Sequence, residues 1–494
     1  MYLLALGFGL LLTMAITAYY LRSPVFSLFH PFSLYTAFHV LVFVIRPIFG
    51  YFLDYSLIYA GYRFMPSEAD RTTVILAANI GYATFAFFCL RAGNIPVVFR
   101  ADAFTIEERQ RLTRLFIWVI LICAPWAIYS MTLNFVGEGG NFDGQILDRA
   151  TGTTINTKTN GYVTDAQLML APLCAIFAWL NRFRLWSLIP MAAFVMMRGS
   201  TGGRGPFVAG LVILLLLFLY ERRQRFPGFR FAVAAMAMVM LFSYVGRDRG
   251  EAMRQTIGIE QKSEGQIATN REERAQFLET MDLANMEFFE YIVWVVPQKS
   301  GTYDYFLNNL QLFTEPIPRV LWPGKPVGAP FTRVRLWDYG YPIGMTASLP
   351  GMGWFYMGWL GVIVWCGIWG HATGTLYKRF FQGDQSTMKT AAYVVFVASL
   401  ILAYRDGSLL SLVKQSGVYL APILVWYVLA RYLQVPSLTQ LREAGRRIAM
   451  ARAPVAGPQP TASAAVQPSG PPLPPAVRRR RDALAATRAS PAKG

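Results

Sequence analysis

Apolar residues in this chain arrive in continuous stretches separated by short basic connectors, and that pattern constrains the fold more than any other feature. A stretch of about 20 apolar residues, rising 1.5 Å per residue as a helix, spans the ~30 Å hydrocarbon core of a bilayer. A soluble domain does not need such runs. Composition agrees: 54% of the residues are hydrophobic and 15% are charged, where soluble domains carry roughly 25% charged residues.

Eleven spans are expected, at about 2–21, 33–53, 72–90, 115–135, 164–181, 185–197, 206–220, 230–246, 352–370, 388–404 and 416–433. The fold class is therefore all-α: a polytopic membrane protein with about 11 transmembrane helices. Orientation follows from placing Lys/Arg-rich short connectors in the cytoplasm. Segments 22–32, 91–114, 181–184, 221–230, 370–389 and 431–494 hold most of the basic residues, whereas 54–71, 136–163, 198–205 and 405–415 hold few. The long segment 247–351 mixes basic and acidic residues, and long loops escape that rule. It is expected to be extracytoplasmic, with the N-terminus outside and the C-terminus in the cytoplasm.

Five regions result. Residues 1–246 hold helices one to eight, 247–351 form the large outer loop, and 352–433 hold helices nine to eleven. Residues 434–452 are expected as an interfacial helix, with Leu438, Leu441 and Ile448 at helical spacing among Arg442, Arg446 and Arg447. Residues 453–494, rich in Ala and Pro and carrying the run Arg478 to Arg481, cannot bury a core and are expected as a disordered cytoplasmic tail. The first span begins without a charged region or a cleavage site, which favours an uncleaved first helix over a removed signal peptide. About half of the +18 formal charge lies in 431–494, so the basic balance reflects topology and not nucleic acid. Cys89, Cys123, Cys174 and Cys366 all lie inside apolar stretches and read as small core residues.

The informative charges are those on the outer side. Spans six and seven are short, roughly 20 Å each as helices, so the connector Arg198-Gly-Ser-Thr-Gly-Gly-Arg204-Gly-Pro206 is expected below the outer surface. Two arginines beside backbone amides and a helix start suit an anion such as phosphate. They also suit a tight turn whose arginines snorkel to headgroups. Arg247 and Arg249 close span eight and could face the same cavity. Met286 to Val296 reads as an amphipathic helix along the membrane surface, with Glu287 and Glu290 one turn apart. Four prolines between Pro316 and Pro326 fix an extended strap carrying Arg319, Trp322 and Lys325. Arg46 lies within span two, where burial of a charge marks a functional candidate or a structural ion pair. Arg405 and Asp406 occupy the short outer link after span ten. The only histidines, His30, His39 and His371, lie near or inside spans, so the outer face offers no metal-ligand cluster and no Ser/His/Asp set.

The turn Gly203-Arg204-Gly205, the strap PIPRVLWPGKP from Pro316 to Pro326 and the link Arg405-Asp-Gly-Ser408, with eleven spans and a large outer loop after span eight, resemble the Wzy-type repeat-unit polymerases of O-antigen and exopolysaccharide pathways. The resemblance covers the chain up to about Ala453. It implies a metal-independent, inverting glycosyltransferase of the bacterial inner membrane, without a cofactor. The substrate would be undecaprenyl-diphosphate-linked oligosaccharide, with membrane lipid, a chain-length regulator and a flippase of the same pathway as further partners, and no nucleic acid.

A lipid diphosphate leaving group needs preorganised cations, for which the candidates are Arg204, Arg319, Lys325, Arg198, Arg247 and Arg405. A carboxylate must accept the acceptor hydroxyl's proton. Candidates are Glu287, Glu290 and Asp304, with Asp282 beside them, and the sequence does not choose. Trp294, Tyr303, Tyr305 and Trp322 could stack on sugars or anchor at the interface. O-antigen ligases share the general architecture but are expected to carry a His in the large loop, which has none. A non-enzymatic flippase or transporter would carry charges along its spans at mid-membrane, where only Arg46 qualifies.

Overall fold

In the computed structural model, residues 1–100, 102–136, 145–148, 153–156, 165–200, 204–228, 278–279, 283–317, 321–322, 325, 329–340 and 346–452 are described. Span eight (230–246), Arg247, Arg249, Asp282, Arg319 and the tail 453–494 lie outside the described residues, as do the side chains of Arg198 and Arg204.

Among the described residues seven helices are long and apolar enough to cross a membrane: α1 (Tyr2–Arg22), α2 (Pro31–Phe52), α4 (Glu68–Ala92), α5 (which runs Ala103–Val136), α10 (Leu349–Gln382), α11 (Thr387–Asp406) and α12 (Leu409–Tyr432). Three shorter apolar helices, α6 (Leu170–Leu180), α7 (Ile189–Ser200) and α8 (Arg204–Glu221), accompany them. The remaining labelled helices are α3 (Leu57–Tyr62), α9 (Asn285–Val295) and α13 (Leu438–Arg452). A two-stranded antiparallel hairpin, Gln145–Asp148 with Thr153–Asn156, is the one departure from helix among the described elements. This is the architecture of a multi-pass membrane protein. Large apolar side chains face outward around it, with Phe52, Trp126 and Leu424 all more than 60% exposed, an arrangement that lipid rewards and water does not.

The centre is built from α4, α10 and α11. Small residues let α4 and α10 meet backbone to backbone: a Cβ on Gly370 would lie 2.6 Å from the Phe85 carbonyl, and one on Gly374 2.4 Å from that of Cys89. The expected ninth span is also not one straight rod. Met357 and Gly358 leave helical angles, Gly358 with φ +58°, and the segment Leu349–Tyr356 folds back along the helix that follows. Gly353 and Gly361 make this possible, since a Cβ on Gly361 would sit 2.0 Å from the Gly353 carbonyl.

Helix starts follow local capping chemistry. Ser67 and Asp70 form a reciprocal capping box at α4, and Ser386 and Ser408 cap α11 and α12. Gly407 (φ +76°) ends α11 in the left-handed conformation, pressed against Ser348. The fourth span extends further than hydropathy suggests, because the charged residues 103–114 continue the helix N-terminally.

One expectation is corrected. The segment carrying Glu287 and Glu290 does form a helix, α9, but it does not lie along a surface: every residue from Asn285 to Val295 except Trp294 is buried. Its carboxylates have partners inside the protein, which makes burial affordable on both faces.

Candidate functional site

The site is assembled where the C-terminal end of α2, the short helix α3, the first turns of α4 and helix α9 converge. Arg46 follows a π-helical stretch, Val40–Ile45, in which its own N–H reaches back to the Leu41 carbonyl. Pro47 has no N–H to donate to Phe43, and the wider turn accommodates that loss. The result places Arg46, 1% exposed, inside the protein. Its Nε lies 2.9 and 3.0 Å from the two Glu287 carboxylate oxygens, its Nη2 lies 2.7 Å from Oε1, and its Nη1 donates to the Leu278 carbonyl. The Tyr55 ring lies beneath the guanidinium, 5.4 Å away. Arg46 is thus a buried, bidentate partner of Glu287.

Glu290, one turn further along α9, is fully buried. Its Oε2 accepts a 2.6 Å hydrogen bond from the Tyr59 hydroxyl, while Oε1 has no hydrogen-bond partner among the described residues. Burial pushes the Glu290 carboxyl up to about 8; the Tyr59 hydrogen bond opposes this, Glu287 adds to it, and Arg71 and Arg46 oppose it. Burial and the two neighbouring glutamates hold the Tyr59 phenol well above its ordinary value. Arg71, on the first turn of α4, lies over the Tyr59 ring at 4.9 Å. Its Nε is buried without a hydrogen-bond partner, and it makes no carboxylate ion pair among the described residues. Glu279 secures α3 by accepting from the Ser56 and Leu57 amides at 2.8 and 2.7 Å. Gln298 bonds Asp70 at 2.6 Å and ties the end of α9 to the start of α4.

A cavity of about 430 Å³ opens beside this cluster, lined by Tyr2, Tyr51, Pro66, Glu68 and Arg71 among others. A narrow cleft of about 30 Å³ shares Tyr2, Tyr51 and Arg71 with it and leads to Asp54, Tyr59, Arg46 and Glu287. The cleft is about large enough for one water.

The other expected residues divide clearly. Asp304 is buried and its carboxylate is occupied: it accepts from the Asn308 amide at 2.8 Å, the Thr332 hydroxyl at 3.0 Å and the Arg333 amide at 3.2 Å. Burial nonetheless raises its carboxyl above the usual range. It organises the loop, whose Asp304 and Tyr305 amides bond the Phe355 and Tyr356 carbonyls. The Lys325 ammonium donates to the Glu315 and Ile317 carbonyls at 2.9 and 3.2 Å, closing the strap on its own beginning. Arg405, expected in the link after span ten, belongs to the last turn of α11, and its carbonyl accepts from the Asn285 side chain at 2.7 Å, setting that turn against the first turn of α9. Of the three carboxylate candidates, only Glu287 and Glu290 share a cluster, and only Glu290 keeps an unoccupied oxygen.

Tyr59, Arg71 and Glu279 were not singled out from the sequence. Arg71 carried a usable signal, being basic in the 54–71 connector on the side where the charge rule disfavours it. Tyr59 and Glu279 carried none, since each gains its role from a partner more than 220 residues away. Among the described residues no group of His, Cys, Asp and Glu converges as a metal site. His30 and His39 pack in the core against Tyr377 and Tyr82.

Compared with protein-family models, with curated proteins and with solved structures, the chain shows no match.

Proposed function

We propose that this protein is a polysaccharide polymerase of the bacterial inner membrane, joining undecaprenyl-diphosphate-linked oligosaccharide repeat units into O-antigen or exopolysaccharide. In this reading span eight completes a set of eleven, the N-terminus and the loop 247–351 face outward, and the tail is cytoplasmic. The observation that carries it is Glu290: a buried carboxyl raised to about 8, with one oxygen unoccupied among the described residues and the other bonded to Tyr59, which lines the cleft adjoining a cavity of tyrosines and an arginine. Glycosyl transfer without a metal needs such a base.

The reaction asks for three things. The acceptor hydroxyl attacks the anomeric carbon of the donor sugar, and the bond to the lipid diphosphate breaks with its electron pair on the phosphate oxygen. Cations must stabilise that developing charge, a role kept for Arg204, Arg319, Arg198, Arg247 and Arg405. Lys325 is committed to the strap. The acceptor's proton must also find a base, and Glu290 fits better than Glu287, whose oxygens are held by Arg46, or Asp304, whose oxygens are saturated.

The deciding experiment incubates purified protein with a lipid-linked repeat unit alone. Chain growth by the wild type, and its loss in Glu290→Gln at equal folded yield, supports the reading. An inert wild type overturns it. Cells lacking the protein should make surface glycan of single repeats, whereas full-length chains left on their carrier would indicate a ligase.

A further inference from the structure

Glu290 has no surface of its own, so any proton it takes from a bound molecule must travel through a neighbour. The charged and titratable groups that act on it are Tyr59 from α3, Arg71 from α4, Arg46 from α2, Tyr2 from α1 and Glu287 from α9 itself; α10, which also packs on α9, meets it through Gly351 and Trp354. Arg46 is locked to Glu287. Among the described residues Tyr59 alone hydrogen-bonds the Glu290 carboxyl and also lines the cleft, which shares Tyr2, Tyr51 and Arg71 with the larger cavity.

The cavity lining indicates which half of the reaction it serves. Carboxylates and cations balance across the cavity and its cleft: the Met1 ammonium pairs with Glu68, Arg46 with Glu287, and Arg71 faces Asp54. A lipid diphosphate would be repelled as much as held. A neutral sugar fits, because Tyr2 and Tyr51 offer aromatic faces while Arg71, Glu68 and Asp54 offer donors and acceptors for hydroxyls. The volume lies within the ordinary range of small-ligand sites.

Resting on the polymerase reading, we propose that the cavity lined by Tyr2, Tyr51 and Arg71 is the acceptor-saccharide subsite, and that Tyr59 is the catalytic residue that passes the acceptor hydroxyl's proton to Glu290. The acceptor hydroxyl donates to the Tyr59 oxygen. As its oxygen bonds the donor's anomeric carbon, its proton moves to Tyr59 while the Tyr59 proton moves to Glu290 Oε2. The donor's bond to diphosphate breaks with its electron pair on the phosphate oxygen. Tyr59 ends neutral, Glu290 ends protonated, and no phenolate forms, which suits a phenol held against ionisation by burial and two glutamates. Arg71, stacked on the Tyr59 ring, fixes its orientation and presents guanidinium protons to the acceptor sugar.

The test measures chain growth by the purified full chain on undecaprenyl-diphosphate repeat unit extracted from a strain lacking the protein, across pH 6 to 9.5. Wild-type rate should rise with pH and level off above about 8, as Glu290 ionises. Tyr59→Phe, which keeps the ring under Arg71, should cut the rate by roughly 10²-fold or more. Its residual activity should level off at higher pH, because Glu290 loses the hydrogen bond that opposes its raised value. Tyr51→Ala, at a half-exposed position, should weaken inhibition by the free repeat-unit oligosaccharide about tenfold and leave the pH limb in place. An active wild type with Tyr59→Phe within threefold of it and an unshifted limb overturns the relay. Unchanged inhibition in Tyr51→Ala overturns the subsite. An inert wild type overturns the polymerase reading and this one with it.

Discussion

Arg46 and Glu287, 241 residues apart in sequence, form a buried bidentate ion pair in which both carboxylate oxygens lie within 3.0 Å of the guanidinium Nε. The pair fixes α9 against α2 and thereby sets where Glu290 stands. Removing one partner of such a pair leaves an uncompensated buried charge, at a cost of about 3–5 kcal/mol. Arg46→Ala and Glu287→Ala should each lower the thermal unfolding midpoint of the detergent-purified protein sharply. The double change Arg46→Met/Glu287→Leu should recover much of that loss. If the double variant is as unstable as the sum of the two singles, the pair is not the source of the effect.

Glu290 predicts a pH dependence of stability with a definite sign. Its folded value, about 8, lies above the roughly 4.3 of an unfolded glutamate. Its contribution is therefore fully present below about pH 4, declines as the unfolded chain ionises, and is lost once pH passes about 8. Wild-type unfolding midpoints should fall between pH 5 and 8 and change little above that from this group. Glu290→Gln keeps an acceptor for Tyr59 and should flatten the profile. An equally steep decline in that variant would assign the dependence to another group.

Gly407 joins α11 to α12 at φ +76°, and a Cβ there would sit 2.1 Å from the Ser348 carbonyl. The same carbonyl-to-amide junction includes the Ser348 N–H bond to Arg405 and the Trp365 indole bond to the Gly407 carbonyl. Gly407→Ala meets both backbone strain, of order 1–3 kcal/mol, and a clash with main-chain atoms that cannot rotate away. Folded yield on size-exclusion chromatography should drop, whereas Gly417→Ala, in open space on α12, should leave it unchanged.

Asp304 should behave as a structural residue. Asp304→Ala strands the Asn308 and Arg333 amides and the Thr332 hydroxyl, each at about 1–3 kcal/mol if left unpaired. Amide hydrogen exchange across 304–309 and 332–334 should rise severalfold. The pH limb of chain growth should stay where it is in the wild type; a shifted limb would instead place Asp304 in the proton path.

Much of the architecture was legible because it is local. Apolar length gives α1, α2, α4, α11 and α12 directly, although α12 begins at Leu409, inside the expected connector 405–415, once Ser408 caps it. The fold-back at Met357 and Gly358 was not legible, because a glycine in an apolar run reads the same in a straight helix until Tyr303 and Gly353 are packed against it. The depth of α9 was misjudged for a related reason. Two carboxylates one turn apart suggest a solvated face when Arg46 and Tyr59 are out of view.

The sequence by itself determined that this chain is a helical, multi-pass membrane protein carrying arginines and carboxylates where lipid would disfavour them, since helix length and hydrophobicity are properties of contiguous residues. Only the tertiary structure decided what each charge does. Glu287, Glu290 and Asp304 are chemically equivalent in the sequence, but the first is held by Arg46, the third by the loop's own donors, and the second by one tyrosine at the edge of a cavity. For the two glutamates that difference arises from packing against segments more than 200 residues away, where burial and a single hydrogen bond set how readily a carboxyl takes a proton.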